Sequence, residues 1–168
     1  LLIIELKNYF HIELNKCFLI LIPIILYAVV GLVDDYLIIF RHNNDGIRPN
    51  IKFILQLIIA VIVYFMYLSI YHTNHLNFFG INIDLKFLYG VFIVFMLVGV
   101  SNATNLTDGI DGLLGINSII SYIGFMILGI YKGEISVVVF SFCAVIALCA
   151  FLLFNLPPAK LFMGNIGS

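Results

Sequence analysis

Five long apolar runs, roughly 17–33, 51–70, 85–101, 113–130 and 137–153, alternate along the chain with short polar breaks. Each run approaches the ~20 residues that a helix needs to cross a ~30 Å hydrocarbon core. None shows the ~10-residue alternation of an outer-membrane barrel strand. The pattern predicts an all-α, polytopic transmembrane helix bundle of about five spans, forming a single membrane domain over 1–168. Several runs sit at the short end of spanning length, which suits tilted or partly buried helices.

The polar residues gather in three places: Val33-Asp34-Asp35-Tyr36, Asn102-Ala-Thr-Asn-Leu-Thr-Asp-Gly-Ile-Asp-Gly112 and Phe162-Met-Gly-Asn-Ile-Gly-Ser168. Counting crossings, helix one ends at Asp34, helix two departs at Ile51, helix three returns before Ser101, helix four leaves after Gly112 and helix five returns before Asn155. The stretches 34–50, 101–112 and 154–168 are therefore expected on one membrane face, forming one pocket at the lipid boundary. Basic residues do not orient it, because Arg41, Arg48, Lys52 and Lys160 lie on that side and Lys7, Lys16, Lys86 and Lys132 on the other.

Composition agrees with the membrane reading. The chain is 63% hydrophobic and 10% charged, with a mean hydropathy of +1.17, too little polar surface to cover a water-soluble globule of this length. A net charge of −1 and the lack of a concentrated basic patch exclude a nucleic-acid partner. Membrane lipid is the expected solvent. Lys7 and Lys16 follow the first apolar residues rather than precede them, so no secretory signal is read. The missing initiator Met and the stop at Gly167-Ser168 point to a piece of a longer protein. Cys17, Cys143 and Cys149 lie in apolar runs at spacings that make neither a disulfide framework nor a zinc site, and are expected as packing residues. His11, His42, His72 and His75 are read as ordinary histidines, the last two in a loop over 71–84.

Each polar cluster has a chemical and a plain reading. Adjacent Asp34 and Asp35 at a helix end are costly to desolvate unless a cation or proton offsets them. Such hard oxygen ligands suit Mg²⁺, which favours one or two carboxylates together with phosphate oxygens and waters. A solvated turn explains the pair equally. Asn102, Asn105, Asp108 and Asp111 recur every three residues before helix four, where an N-cap requires only one such residue. A helical or turn-like segment would point several of them the same way, toward a nucleobase, a sugar or a metal, with the adjacent helix N-terminus favouring a phosphate. The third cluster adds Asn155, Pro157-Pro158, Lys160 and a turn over Gly164-Asn165-Ile166-Gly167-Ser168, where glycine permits close approach to a ligand. A simple post-helix turn accounts for the same residues.

Read in order, Gly31-Leu-Val-Asp-Asp-Tyr36, Gly46-Ile-Arg-Pro-Asn-Ile-Lys-Phe-Ile-Leu-Gln56, Val98-Gly-Val-Ser-Asn-Ala-Thr-Asn-Leu-Thr-Asp-Gly-Ile-Asp-Gly-Leu113, Phe154-Asn155 and Pro158-Ala-Lys-Leu-Phe-Met-Gly-Asn-Ile-Gly-Ser168 resemble the MraY family. These are the phospho-N-acetylmuramoyl-pentapeptide transferases of the polyprenyl-phosphate N-acetylhexosamine-1-phosphate transferase superfamily. The resemblance covers the chain from about residue 23 onward. It implies about half of a ten-helix, multi-pass protein of the bacterial inner membrane. That protein moves phospho-MurNAc-pentapeptide from its UDP carrier to undecaprenyl phosphate at the cytoplasmic face, yielding lipid I and UMP with Mg²⁺. It further implies that Asp34 and Asp35 act on the lipid phosphate or the metal, with Asp111 a third catalytic position. Asn105, Asp108, Asn155, Phe162 and Lys52 fall at substrate-binding positions, the first four on the nucleotide side. Asn165 stands at a metal-ligand position. UDP-MurNAc-pentapeptide, undecaprenyl phosphate and membrane lipid are the implied partners, and a homodimer is an allowed assembly.

Two positions depart from the family pattern. Asn165 replaces the Asp expected to hold Mg²⁺, offering a neutral carbonyl oxygen in its place. Ile38 replaces a Lys four residues after Asp34, a loss of positive charge for which Arg41 would compensate from the same face. Three rival readings accompany the transferase: a silent or truncated paralogue that binds nucleotide or lipid without transfer, a related GlcNAc-1-phosphate transferase, and a transporter. Transport predicts charges in mid-span, and these spans are almost free of them.

Overall fold

The computed structural model describes residues 2–41, 46–78 and 81–168, with side chains described over 14–40, 46–74 and 83–168. Five helices in it are long and apolar enough to cross a membrane: Leu14–Phe40, Pro49–Tyr71, Phe87–Thr107, Leu113–Lys132 and Ile135–Asn155. The five apolar runs are thus helices, as expected. In chain order the elements are α1 (Leu2–Arg41), α2 (Pro49–Tyr71), β1 (His75–Phe78), β2 (Ile81–Asp84), α3 (Phe87–Thr107), α4 (Leu113–Lys132), α5 (Ile135–Asn155) and a single turn, α6 (Gly164–Gly167). Contacts divide the chain into two compact units, one ending at Asn102 and one beginning at Ala103.

In the first unit α1 packs on α2. Helix α1 does not stop at Asp34 but continues through Tyr36-Leu-Ile-Ile-Phe40 to Arg41, which corrects the expected boundary. Polarity alone suggested an end there, whereas no Gly or Pro follows the aspartates to break the backbone ladder. The 27-residue apolar part of α1 spans about 40 Å at 1.5 Å per residue, longer than the hydrocarbon core, so its polar turn can lie at the boundary while the helix runs on. Proline at Pro49 opens α2, at the position where a missing N–H costs nothing.

The expected loop over 71–84 contains a small antiparallel hairpin, with His75 opposite Asp84 and Phe78 opposite Ile81. Apolar Leu76, Phe78, Ile81 and Ile83 alternate with His75, Asn77, Asn82 and Asp84, a strand period too short to stand out beside the spans. His72 caps α2 in a left-handed conformation, its N–H donating to the Leu68 carbonyl, consistent with an ordinary loop histidine. The side chains of His11, His42 and His75 lie outside the described residues.

In the second unit α4 and α5 form a helical hairpin. Gly115 makes their close approach possible, since a Cβ there would lie 2.7 Å from a Leu152 methyl. Gly112, with φ of 74°, is the N-cap of α4 and turns the chain through the left-handed region that only glycine enters freely. Helix α3 also runs further than expected, to Thr107, and α5 includes Asn155. Large apolar side chains stand exposed along the spans, among them Phe95 at 73% and Leu153 at 78%. Lipid tails solvate such surfaces where water would not. Cys17 is half-buried, Cys143 and Cys149 are exposed, and no disulfide joins them.

Candidate functional site

Asp34 is buried to 5% exposure, although it belongs to a membrane-spanning helix. Its charge is met from two directions. The Lys52 ammonium, from the first turn of α2, donates to Asp34 Oδ2 at 2.8 Å. The Ile47 N–H donates to Oδ1 at 2.6 Å. A buried carboxylate needs such compensation, because its desolvation cost exceeds what an unpaired group can bear. Gly46 leaves room for the approach, since a Cβ at that position would collide with the Asp34 carboxylate. Asp34 and Lys52 line a cavity of about 270 Å³ together with Ile38, Pro49, Phe53 and Asn102.

This geometry changes several sequence expectations. Asp35 occupies the next helical position and is only half-buried. Successive helix residues do not face each other, and Asp35 is not among the residues that line the Asp34 cavity. Ile38 lines the cavity one turn beyond Asp34, where the family pattern would place Lys. The cation beside Asp34 is Lys52, while the Arg41 side chain lies outside the described residues.

Behind this pocket sits a polar group that sequence reading did not single out. Gln56 of α2 is 3% exposed. Its Oε1 accepts from Asn102 Nδ2 at 2.8 Å, its Nε2 donates to Ser101 Oγ at 3.3 Å, and its backbone carbonyl accepts from the Tyr27 hydroxyl at 3.3 Å. One residue therefore links α1, α2 and α3. The available signal was its isolation, as the one amide within the apolar run of α2.

In the second unit side-chain hydrogen bonds join the second and third polar clusters. Thr104 Oγ1 donates to the Ser168 carbonyl at 2.6 Å, and Asn105 Nδ2 donates to Asn165 Oδ1 at 2.7 Å. Asp108 Oδ2 accepts the Gly164 N–H at 3.1 Å. Asp111 Oδ2 accepts the Ala159 N–H at 3.0 Å. Asn155, at 2% exposure, accepts the Gly112 N–H through Oδ1 at 2.9 Å and donates through Nδ2 to the Leu161 carbonyl at 2.7 Å. Neither Asp108 nor Asp111 caps α4, because the N-cap is Gly112 and no side chain bonds there. Their carboxylates instead shape the 156–164 loop, which contains a cis Pro157-Pro158 bond. Phe162 is 54% exposed on that loop.

The arrangement in the second unit offers carboxylate and amide oxygens on a fixed loop, with exposed Lys160 and the Phe162 ring beside them. Oxygen donors of this kind suit a hard cation and the polar edges of a nucleotide. Among the described residues no group of three or more His, Cys, Asp or Glu side chains gathers as a metal cage.

A family model described as glycosyl transferase family 4 matches residues 17–168. The chain belongs to that family. Its helices, Asp34–Lys52 pocket and Asn105–Asn165 clasp are thus features of a family 4 glycosyl transferase and of a multi-pass membrane protein. Similar relatives include a phospho-N-acetylmuramoyl-pentapeptide-transferase of Streptococcus sanguinis (strain SK36), 39% identical over 154 residues that make up 92% of this chain and 47% of the relative. The enzyme of the same name from Streptococcus thermophilus (strain CNRZ 1066) is 41% identical over 149 residues, 89% of this chain and 44% of the relative. That from Enterococcus hirae is 41% identical over 151 residues, 90% and 47% respectively. The chain spans about half the length of the curated relatives it matches.

Proposed function

We propose that the protein transfers phospho-MurNAc-pentapeptide from its UDP carrier to undecaprenyl phosphate, releasing UMP and forming lipid I at the cytoplasmic face of the bacterial plasma membrane. The observation that carries this reading is the identity of about 40% to transferases of that name over about nine-tenths of the chain. The physical chemistry of the two units supports it. Phosphoryl transfer between anionic partners gathers charge on the phosphoryl oxygens, so catalysis needs positive charge, in-line positioning and exclusion of water.

In the first unit Lys52 supplies a fixed ammonium at the edge of an apolar span, where a lipid phosphate would meet it. A phosphate that draws on Lys52 leaves Asp34 without its counter-charge, so the carboxylate then requires a cation or a proton. Asp34 thereby serves as the acidic group on the lipid side, with Asp35 half-buried beside it. In the second unit Asn105, Asp108, Asp111 and Asn155 hold the loop that carries Phe162 and Asn165, the nucleotide side of the reading. Mg²⁺ is the cation proposed; within the first unit Asp34 and Asp35 are the oxygen donors that would suit it, within the second Asn165 is, and when bound it would offset charge on the phosphoryl oxygens.

The test is direct. Membranes carrying the full gene product, given undecaprenyl phosphate and UDP-MurNAc-pentapeptide, release UMP only when Mg²⁺ is present. Asp34→Ala and Asp111→Ala each abolish release. Failure of the unsubstituted protein to release UMP with both substrates and Mg²⁺ supplied refutes the transferase reading.

A further inference from the structure

We infer that Arg48 is a second phosphate-binding cation of the first unit, one that closes over the mouth of the Asp34–Lys52 cavity onto the phosphate monoester of the lipid acceptor. This rests on the transferase reading only for the name of that ligand, a polyprenyl phosphate. Charge is the reason a second cation is needed. The Lys52 ammonium is already committed, 2.8 Å from Asp34 Oδ2, and the remaining lining residues of the cavity carry no charge. A phosphate monoester brings about −1.5 to −2 charges near neutral pH. The Asp34–Lys52 pair is neutral as a unit, so a phosphate taken up by Lys52 alone strips a buried carboxylate of its counter-charge.

Arg48 stands at the place where that conflict can be relieved. Its chain neighbours Ile47 and Pro49 both line the cavity. The backbone is pinned on either side of it: the Ile47 N–H donates to Asp34 Oδ1 at 2.6 Å, and the Arg48 carbonyl accepts from the Ile51 and Lys52 N–H groups at 2.9 and 3.0 Å. The main chain of Arg48 is therefore fixed at the rim, while its side chain is exposed and has no partner among the described residues. It makes no side-chain cap on α2, and the first turn of α2 holds no acidic residue that would claim the guanidinium or repel an anion. A guanidinium on a flexible stem can turn over the opening, and its fork of N–H donors matches two phosphate oxygens at once. Lys52 then keeps its bond to Asp34.

The alternative is a solvated arginine at a helix start, and the two accounts separate by ligand and by rescue. The full gene product in lipid nanodiscs is titrated with undecaprenyl phosphate, with undecaprenol, which has the same tail and no phosphate, and with UMP. Arg48→Met is expected to weaken undecaprenyl phosphate binding about three- to tenfold, a loss that shrinks as salt is raised. Undecaprenol and UMP affinities stay unchanged, the first because it lacks the anion and the second because the nucleotide-side residues belong to the second unit. Arg48→Lys keeps the charge and most of the affinity. Ile38→Lys added to Arg48→Met restores binding, because position 38 lines the same cavity from another helix, one turn beyond Asp34, and returns a positive charge without repairing the start of α2. An unchanged undecaprenyl phosphate affinity in Arg48→Met, an equal loss for undecaprenol or UMP, a loss that neither lysine substitution recovers, or no binding of undecaprenyl phosphate by the unsubstituted protein overturns the inference. Lipid binding that shifts as described in a protein that releases no UMP leaves the inference standing and removes the transfer reading alone.

Discussion

Removing the Asn155 side chain should destabilise the second unit more than any polar substitution at its surface. Two bonds are lost in Asn155→Ala, and they differ in cost. Gly112 is buried, and its N–H has Asn155 Oδ1 as its partner at 2.9 Å. A buried donor left without an acceptor costs about 1–3 kcal/mol. The Leu161 carbonyl, bonded to Nδ2 at 2.7 Å, belongs to a residue that is half exposed and can turn to solvent, so only the net value of an ordinary bond, about 0.5–1.5 kcal/mol, is lost there. The expected total is about 1.5–4.5 kcal/mol. Unfolding in mixed micelles by stepwise addition of SDS measures it, with exposed Cys149→Ala as a control expected within about 0.5 kcal/mol of the unsubstituted protein. Hydrogen exchange at the Gly112 amide locates it, because that N–H should lose its protection first. A loss below about 1 kcal/mol, or a Gly112 amide that exchanges at its original rate, refutes the view of Asn155 as the clasp between the α4 turn and the 156–164 loop.

Other substitutions test the remaining contacts. Lys52→Met strands the buried Asp34 carboxylate and should cost about 2 kcal/mol, less than a fully sealed pair because the Lys52 side chain keeps 20% exposure; Asp34→Asn added to it should recover most of the loss, as read by the same SDS titration. Gly115→Leu drives a side chain into Leu152 and should cost about 1–3 kcal/mol with loosening of the α4–α5 hairpin, seen as faster exchange along α5. Asn165→Asp keeps the acceptor for Asn105 and adds a negative charge, so Mg²⁺ affinity by titration calorimetry should rise several-fold; an unchanged affinity means that position 165 does not touch the ion.

The spans were legible because burial in lipid imposes run length, and the apolar runs of α2, α4 and α5 match their helices within two residues. Helix ends were not legible from polarity. Asp34, Asn102, Asn105 and Asn155 all lie inside helices, since a polar side chain does not stop an α-helix and a backbone break does. The second and third clusters could be seen as chemically related, yet the partners of Asp111 and Asp108 are backbone N–H groups 48 and 56 positions away, and no local pattern announces such pairs.

Gln56 and Asp35 show which polar residues carry the most structural information in a chain of this kind. A residue beside a polar break has water as an alternative partner, so its identity constrains the fold weakly, and Asp35 is accordingly half-buried next to a position it does not share. A residue set singly within an apolar run has no such alternative, and each unsatisfied group there costs enough that partners on other helices must be found. Gln56 meets that demand by bonding Asn102 and Ser101 of α3 and receiving Tyr27 of α1. Isolation within a span is therefore a stronger pointer to tertiary contact than clustering at its end, and the same reasoning assigns Asp34, once α1 is seen to continue past it, a partner on α2 rather than a role as a solvated cap.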